Sequence, residues 1–308
     1  MENRVIIIAG PTCSGKTFLS IKLAEKLGSE IISADSRQVF RYLSIGTAKP
    51  DYDELSKVKH HFIDCYNPDE VFNASIFEIE SLKIIETLIA KGKIPIVAGG
   101  SGLYIKALTD GIFSEQANDE NYTSELKVIR EKSGNEFLYN ELKKVDPVSA
   151  SKMLPQNWKR VIRALEVFHV TGRPIWELQK EQKRESPYQF IKYALLWDRD
   201  LLYKNIESRV DKMIDEGLVN EVQSVLDMGY SEKINSLNTV GYKEIISYLK
   251  DEISLDRAIE LIKRNTRRFA KRQMTWFNAD KEIKWIKVNS KEDLSFAADS
   301  VEKEFRIN

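Results

Sequence analysis

The sequence predicts an α/β protein: a P-loop-type parallel sheet flanked by helices, with a helical insertion domain. Three observations carry that expectation. The apolar run Val5-Ile6-Ile7-Ile8-Ala9 leads into Gly10-Pro11-Thr12-Cys13-Ser14-Gly15-Lys16-Thr17, which fills every position of the phosphate-loop pattern G-x-x-x-x-G-K-[ST]. Short β-branched runs alternate with helical patterns through the first third of the chain, as expected of βαβ units, whose parallel strands need helical crossovers. From about residue 113 the chain turns polar and helical, and a strand-like run resumes at Tyr193. The expected division is a P-loop core of residues 1–112 and 190–308, interrupted by a helical insertion domain of 113–189.

The first strand, near 4–9, is apolar without a break from Val5 to Ala9, as suits a buried strand. In the loop that follows, glycines let successive backbone N–H groups turn inward, and a helix over 17–27 aims its positive dipole end at the same point. That arrangement suits a di- or triphosphate. Lys16 would place its charge on the phosphate oxygens, and the Thr17 hydroxyl would sit where Mg2+ bridges loop and ligand. The second strand, Glu30-Ile31-Ile32-Ser33-Ala34, ends at Asp35 on the same rim of the sheet. A general base would stand there; the alternative is a carboxylate that holds the loop or a water on Mg2+.

A helix near 75–91 and a strand at Ile94-Pro95-Ile96-Val97-Ala98 come next. Gly99-Gly100-Ser101-Gly102-Leu103-Tyr104 then permits close backbone approach to a bound group, with the Ser101 hydroxyl free to hydrogen-bond it. No acidic residue ends this strand, where many P-loop hydrolases keep one for Mg2+, which counts against an ATPase or GTPase. The insertion reads as helical at 125–130, 137–142 and 158–171, with Lys159, Arg160 and Arg163 set beside Val161, Ala164, Leu165 and Phe168.

After a strand at Tyr193-Ala194-Leu195-Leu196-Trp197, helices are expected near 200–228, 239–249 and 254–278, then a strand at 284–288 and a closing helix. Arg209 lies about one turn beyond Ile206 and could reach a leaving phosphate, although a lone arginine on a charged helix is more often solvated or salt-bridged. On the 254–278 helix, Arg264, Arg267, Arg268, Lys271 and Arg272 recur at spacings of three and four, beside a stripe of Ala258, Ile262, Phe269 and Trp276. A solvated charged face explains either basic helix alone. Two of them beside a phosphate loop point to a polyanion much larger than a nucleotide.

Composition sets bounds on this reading. The 308 residues carry 47 basic and 47 acidic side chains, so net charge gives no long-range attraction to nucleic acid, and any such partner is held by local patches. With only Cys13 and Cys65, a disulfide framework is not expected and a reducing compartment fits. His60, His61 and His169 show no zinc spacing and are read as structural. The start runs straight into a strand, and no apolar stretch approaches the roughly 20 residues that span a bilayer, so a cytoplasmic protein without membrane association is expected.

Taken together, the loop at 10–17, Asp35-Ser36-Arg37-Gln38, Ile45-Gly46-Thr47-Ala48-Lys49-Pro50, Gly99 to Tyr104, Arg163-Ala164-Leu165-Glu166-Val167, Val240-Gly241-Tyr242-Lys243-Glu244 and Lys271-Arg272-Gln273-Met274-Thr275-Trp276 resemble the tRNA dimethylallyltransferases, also called tRNA isopentenyltransferases. The likeness covers most of the chain in order. It implies transfer of a dimethylallyl group from dimethylallyl diphosphate to N6 of adenosine 37, in tRNAs reading codons that begin with U. The resemblance places Gly10, Pro11, Thr12, Cys13, Ser14, Gly15, Lys16, Thr17 and Arg209 on the diphosphate, with Thr17 also on Mg2+. It makes Asp35 the acceptor of the N6 proton, working with Thr12, Lys16 and Arg209.

The tRNA contacts it implies are Asp35, Ser36, Arg37, Gln38, Ser101, Thr123, Lys159, Arg160, Val161, Ile162, Arg163, Gly241 and Tyr242, to which the cationic helix adds Arg264, Arg267, Arg268, Lys271 and Arg272. Cys13 stands where the family more often has alanine, and Ser101 where it more often has threonine, which keeps the hydroxyl. Without the zinc-finger extension of eukaryotic members, a compact, monomeric, bacterial-type enzyme is expected. Among the alternatives, a small-molecule kinase leaves residues 45–50 and 271–276 unexplained. The insertion and its basic helix argue against an enzyme acting on free AMP, ADP or ATP, and the intact Lys16, Thr17 and Asp35 argue against an RNA-binding protein with a vestigial loop.

Overall fold

The computed structural model describes residues 3–111, 119–181 and 186–307. Strand β1 (Arg4–Ala9) buries Val5 to Ile8 completely, as a central parallel strand requires. The chain continues through α1 (Lys16–Leu27), β2 (Ile31–Ser33), α2 (Tyr52–Lys57), β3 (His60–His61), α3 (Ala74–Ala90), β4 (Ile96–Gly99) and α4 (Gly102–Asp110). Three of these, α2, β3 and α4, go beyond the sequence expectations. α2 is a six-residue helix started by a capping box, in which Asp51 accepts the Glu54 N–H at 2.8 Å and Glu54 accepts the Asp51 N–H at 3.0 Å. β3 is too short to show a period, and α4 starts inside a glycine-rich run that reads as loop.

Residues Asp110–Glu185 form a unit of their own. It holds α5 (Glu120–Val145), broken at Gly134, then α6 (Pro147–Ser151), α7 (Trp158–Thr171) and α8 (Ile175–Glu181). Leu126, Leu138 and Leu142 of α5 pack with Val161, Ala164 and Leu165 of α7 in its core.

The other unit, Met1–Thr109 with Ser186–Asn308, resumes with β5 (Gln189–Trp197), α9 (Arg199–Asp215), α10 (Leu218–Asp227), α11 (Tyr242–Leu249), α12 (Leu255–Asn278), β6 (Lys284–Val288) and α13 (Lys291–Ile307). The single helix expected over 200–228 is two helices, because Gly217 takes φ +96° between them. On α12 the buried side is Ala258, Ile262, Ala270, Gln273 and Phe277. The expected apolar stripe is corrected accordingly. Phe269 and Trp276 are 40% and 39% exposed; at about 100° per residue they fall on the margin of the buried side, with Gln273 nearer its centre.

Among the described residues six strands form one sheet in the order β3-β2-β4-β1-β5-β6, every pairing parallel. Ala9 lies opposite Gly99 on one side and Ala194 on the other, and Ser33 lies opposite Ala98. The carboxyl ends of β1, β2 and β4 are therefore level to within a residue, β5 runs on to Trp197, and the loops after them open along one edge, where ligands of parallel sheets bind. Beneath, Ile6, Ile8, Leu19, Leu23 and Leu195 pack with Leu294, Ala298 and Val301 of α13. Among the described residues no helix is long and apolar enough to cross a membrane.

Candidate active site

The loop between β1 and α1 is a cradle of backbone amides. Gly10, Cys13 and Gly15 take φ of +144°, +62° and +87°, which curls the chain around a common centre. Cys13 holds this left-handed conformation without being glycine, as residues at ligand clamps do. The indole N–H of Trp197 pins the loop from outside by donating to the Ser14 carbonyl at 2.9 Å.

Lys16 Nζ donates to the Pro11 carbonyl at 2.6 Å, folding the side chain back across the cradle. Removal from water pushes its ammonium down to about 8, against an upward pull from the Asp35 carboxylate and with a further downward push from Arg209. Arg209 reaches the loop from α9: its Nη1 lies 3.4 Å from Thr12 Oγ1 and 3.5 Å from Cys13 Sγ. Two cations thus face one anion-sized cradle, an arrangement suited to a group that carries more than one negative charge.

The adjoining loops supply a carboxylate. Asp35, just past β2, accepts the N–H groups of Arg37 at 2.8 Å and Gln38 at 3.3 Å with a single oxygen, Oδ1. Ser101 ties this turn to the loop after β4, its hydroxyl accepting the Ser36 N–H at 3.1 Å and its own N–H donating to the Ala34 carbonyl at 3.1 Å. Gln38 spends its amide N–H groups on the carbonyls of Thr47 and Ala48, at 3.3 and 3.0 Å. Arg37 donates to the Asn235 carbonyl at 2.8 Å, and burial lowers its pKa.

Two side chains absent from the sequence expectations organise these loops. Gln273 of α12 accepts the Thr12 N–H at 2.8 Å and donates to the Gly100 carbonyl at 2.9 Å. Position 100 must be glycine for this, since a Cβ would stand 2.2 Å from Gln273 Nε2. The signal in the sequence was a glutamine at the centre of a buried stripe. Glu221 of α10 accepts the N–H groups of Ser44, Ile45 and Gly46 at 2.8, 2.7 and 3.1 Å, and the Tyr242 hydroxyl at 2.6 Å. The Tyr242 ring fills the space that a Cβ on Gly46 would take, 2.4 Å away. Two motifs remote in sequence, 45–50 and 240–244, therefore meet at Glu221.

The sequence model of the IPP transferase family matches residues 38–280. The chain belongs to the IPP transferase family. As an IPP transferase it is 47% identical over 288 residues to a tRNA dimethylallyltransferase of Acetivibrio thermocellus, covering 93% of this chain and 92% of that one. It is 44% identical over 312 residues to one of Carboxydothermus hydrogenoformans, covering 100% and 99%. The crystal structure of a tRNA isopentenylpyrophosphate transferase from Bacillus halodurans superposes with a TM-score of 0.72 at 34% identity, covering all of both chains. A eukaryotic dimethylallyltransferase acting on tRNA gives a TM-score of 0.84 at 28% identity, over 99% of this chain and 80% of that one.

The cationic positions of this IPP transferase divide by exposure. On α12, Arg268, Lys271 and Arg272 are exposed, whereas Arg267 is half-buried and paired with Glu207 at 2.6 Å, and Arg264 lies 3.4 Å from Asn265 Oδ1. Arg272 stands over the Phe269 ring, and Trp276 packs against Gly102. On α7, Lys159 and Arg160 are exposed and Arg163 is held by Glu166 at 2.7 Å.

Four expected contact residues lie inside. Val161 and Ile162 belong to the core of their unit, Gly241 is buried with its N–H on Glu244 at 2.8 Å, and Tyr242 is wholly buried on Glu221. Packing therefore occupies the side chains of Val161, Ile162 and Tyr242, which lie on the inward-facing sides of their helices. Thr123 Oγ1 is also buried, with no hydrogen-bond partner among the described residues. The histidines have structural partners: His60 on the Val58 carbonyl, His61 on Glu30 and His169 stacked on Tyr122.

Proposed function

We propose that this chain transfers the dimethylallyl group of dimethylallyl diphosphate to N6 of adenosine 37 in tRNAs that read codons beginning with U, releasing diphosphate. The observation that carries the reading is a two-cation phosphate cradle, Lys16 and Arg209, close enough to the Asp35 carboxylate for the charges to perturb one another. A leaving diphosphate gathers charge as the allylic C–O bond breaks, and fixed cations favour that state over the ground state. An exocyclic adenine amine is a poor nucleophile, and a carboxylate that takes its proton during attack makes it a better one. The dimethylallyl carbon then bonds to N6, the diphosphate takes the bonding pair of the broken C–O bond, and the N6 proton passes to Asp35.

Mg2+ fits the donors present. The Thr17 hydroxyl, the Asp35 carboxylate and the ligand's phosphate oxygens are hard oxygen ligands, and this cation keeps much of its water and asks for few protein groups. Thr17 would hold it on the diphosphate, where it supplies additional charge neutralisation. Among the described residues no cluster of His, Cys, Asp and Glu offers a dedicated metal cage.

The adenine reaches the cleft only out of its stack, an extrusion that costs a few kcal/mol and that phosphate contacts must offset. Arg268, Lys271 and Arg272 of α12, together with Lys159 and Arg160 of the 110–185 unit, are exposed cations available for that work. The naming of the relatives, tRNA dimethylallyltransferases, supports tRNA over a free adenylate. A small-molecule kinase is disfavoured because it leaves residues 45–50 and 271–276 unexplained, and an ATPase or GTPase because β4 ends in Gly99 rather than in a carboxylate. We read the protein as a monomeric cytoplasmic enzyme, consistent with free Cys13 and Cys65. The test is to incubate the protein with dimethylallyl diphosphate, Mg2+ and a tRNA having A36-A37, then to look by mass spectrometry for one prenyl group on the tRNA. Consumption of ATP, or prenylation of AMP in preference to tRNA, would overturn the assignment.

A further inference from the structure

The geometry points to Gln273 as a positioning residue of the transfer reaction, whose side-chain amide sets the separation between the loop that holds the leaving diphosphate and the loop that carries the acceptor side. This rests on the function proposed above. Gln273 is 7% exposed and occupies the buried stripe of α12 among Ala258, Ile262, Ala270 and Phe277, where packing alone calls for an apolar side chain. Its two hydrogen bonds leave one planar group in opposite senses, Oε1 accepting from Thr12 N–H and Nε2 donating to the Gly100 carbonyl. The two loops it joins belong to different strands, β1 and β4.

What lies at each end of the amide gives the bridge its meaning. Thr12 shares its hydroxyl with Arg209, on the leaving-group side. Gly100 is followed by Ser101, whose hydroxyl accepts the Ser36 N–H in the turn built on Asp35. A continuous run of bonded groups thus connects the cation that receives the diphosphate to the carboxylate that receives the proton, and Gln273 is its central link. In-line displacement needs the allylic carbon held about 3 Å from the attacking nitrogen, and rate falls steeply when that contact slips by an ångström. Gln273 works through the loops; Lys16, Thr17 and Arg209 are left to hold the diphosphate.

The test compares Gln273→Met, which keeps length and apolar packing but makes neither bond, with Gln273→Glu. An ionised glutamate accepts from Thr12 but cannot donate to Gly100; once protonated it does both. Expected for Gln273→Met is a fall in kcat of about 100-fold with KM for dimethylallyl diphosphate and for tRNA within about threefold. A larger share of the allylic diphosphate should also go to water. In that side reaction the water oxygen bonds to the allylic carbon, the C–O bond to diphosphate breaks, a proton passes to solvent, and dimethylallyl alcohol is released. For Gln273→Glu, the ratio of its rate to wild type should rise as the pH is lowered from about 8 to about 6, as a buried carboxyl takes up its proton.

Wild-type kcat with no extra alcohol in Gln273→Met, or a rate ratio for Gln273→Glu that stays flat with pH, would overturn the positioning role. Should Gln273→Met fail to fold, the pH profile of Gln273→Glu decides alone. Wild-type protein run alongside separates the two readings: if it makes no prenylated tRNA, the functional assignment falls; if it does and Gln273→Met matches it, only the positioning role falls.

Discussion

The Tyr242 hydroxyl donates to the Glu221 carboxylate at 2.6 Å, and the same carboxylate gathers the backbone N–H groups of Ser44, Ile45 and Gly46. Both the carboxylate neighbour and burial push the Tyr242 phenol far above its usual range, burial more so, and the group stays protonated as a donor. Tyr242→Phe removes one of four bonds and should destabilise by about 1–2 kcal/mol, whereas Glu221→Gln removes the charge that three amides face and should cost about 3 kcal/mol. Because the two residues share one network, the double variant should lose less than the sum. Chemical denaturation of the four proteins checks this; strict additivity would contradict it.

Asp35→Asn should lower single-turnover prenyl transfer by about 10²- to 10⁴-fold, the usual worth of a general base. The asparagine oxygen still accepts the Arg37 and Gln38 N–H groups that fold the turn, and tRNA affinity should stay within about threefold. Quench-flow on prenylated tRNA and a filter-binding titration give the two numbers. A parallel loss of both would reassign Asp35 to tRNA binding.

The position of Lys16 near about 8 predicts how diphosphate binding responds to pH. Burial favours the neutral amine, so in the empty cradle the charge is full well below that value and is lost as pH rises through it. An ester diphosphate has already shed its protons near neutrality, so the ligand's own charge does not change. Affinity for dimethylallyl diphosphate should therefore fall about tenfold from pH 7 to pH 9, with proton uptake on binding at the alkaline end. Lys16→Arg, which stays charged, should flatten that profile. Calorimetry in two buffers of different ionisation enthalpy reads both effects.

Salt dependence separates the arginines of α12. Replacing exposed Arg268, Lys271 and Arg272 by alanine should reduce the slope of log affinity for tRNA against log salt by about 2, through lost counterion release. Arg267, already paired with Glu207 at 2.6 Å, should change the slope by less than about 0.5 when replaced. Equal effects would mean that the ion pair opens to receive a phosphate.

Local chemistry was legible in the sequence. The phosphate loop, the strand before it and the helix after it are contiguous, and their pattern is one of spacing. The place of Asp35 was legible as well, because the chain leaves a parallel strand at a known edge and Asp35 follows β2 there. Glu221 was not: its four partners lie 21 to 177 positions away, and nothing near it in the chain marks it from any other glutamate on a helix. Gln273 lies in the 271–276 motif but was given no role of its own, since the cationic residues around it dominate the helix while it turns inward with the apolar ones. Val161 and Tyr242 show the converse limit, where a motif identifies a segment without saying which side chains face out.

The phosphate loop is translated before every group that holds it from outside. Its outer partners come late: β5 with Trp197 against Ser14, Gln273 against Thr12, and Leu294 packed where a Cβ on Gly15 would stand 2.4 Å away. Synthesis proceeds at about 5–20 residues per second, so a nascent chain carries the loop without Leu294 for some tens of seconds. A product truncated before α13 would contain every residue of the loop and lack the side chain that seats it. Closure of the phosphate loop is thus coupled to the packing of α13, an element made long after the loop's own strand and helix.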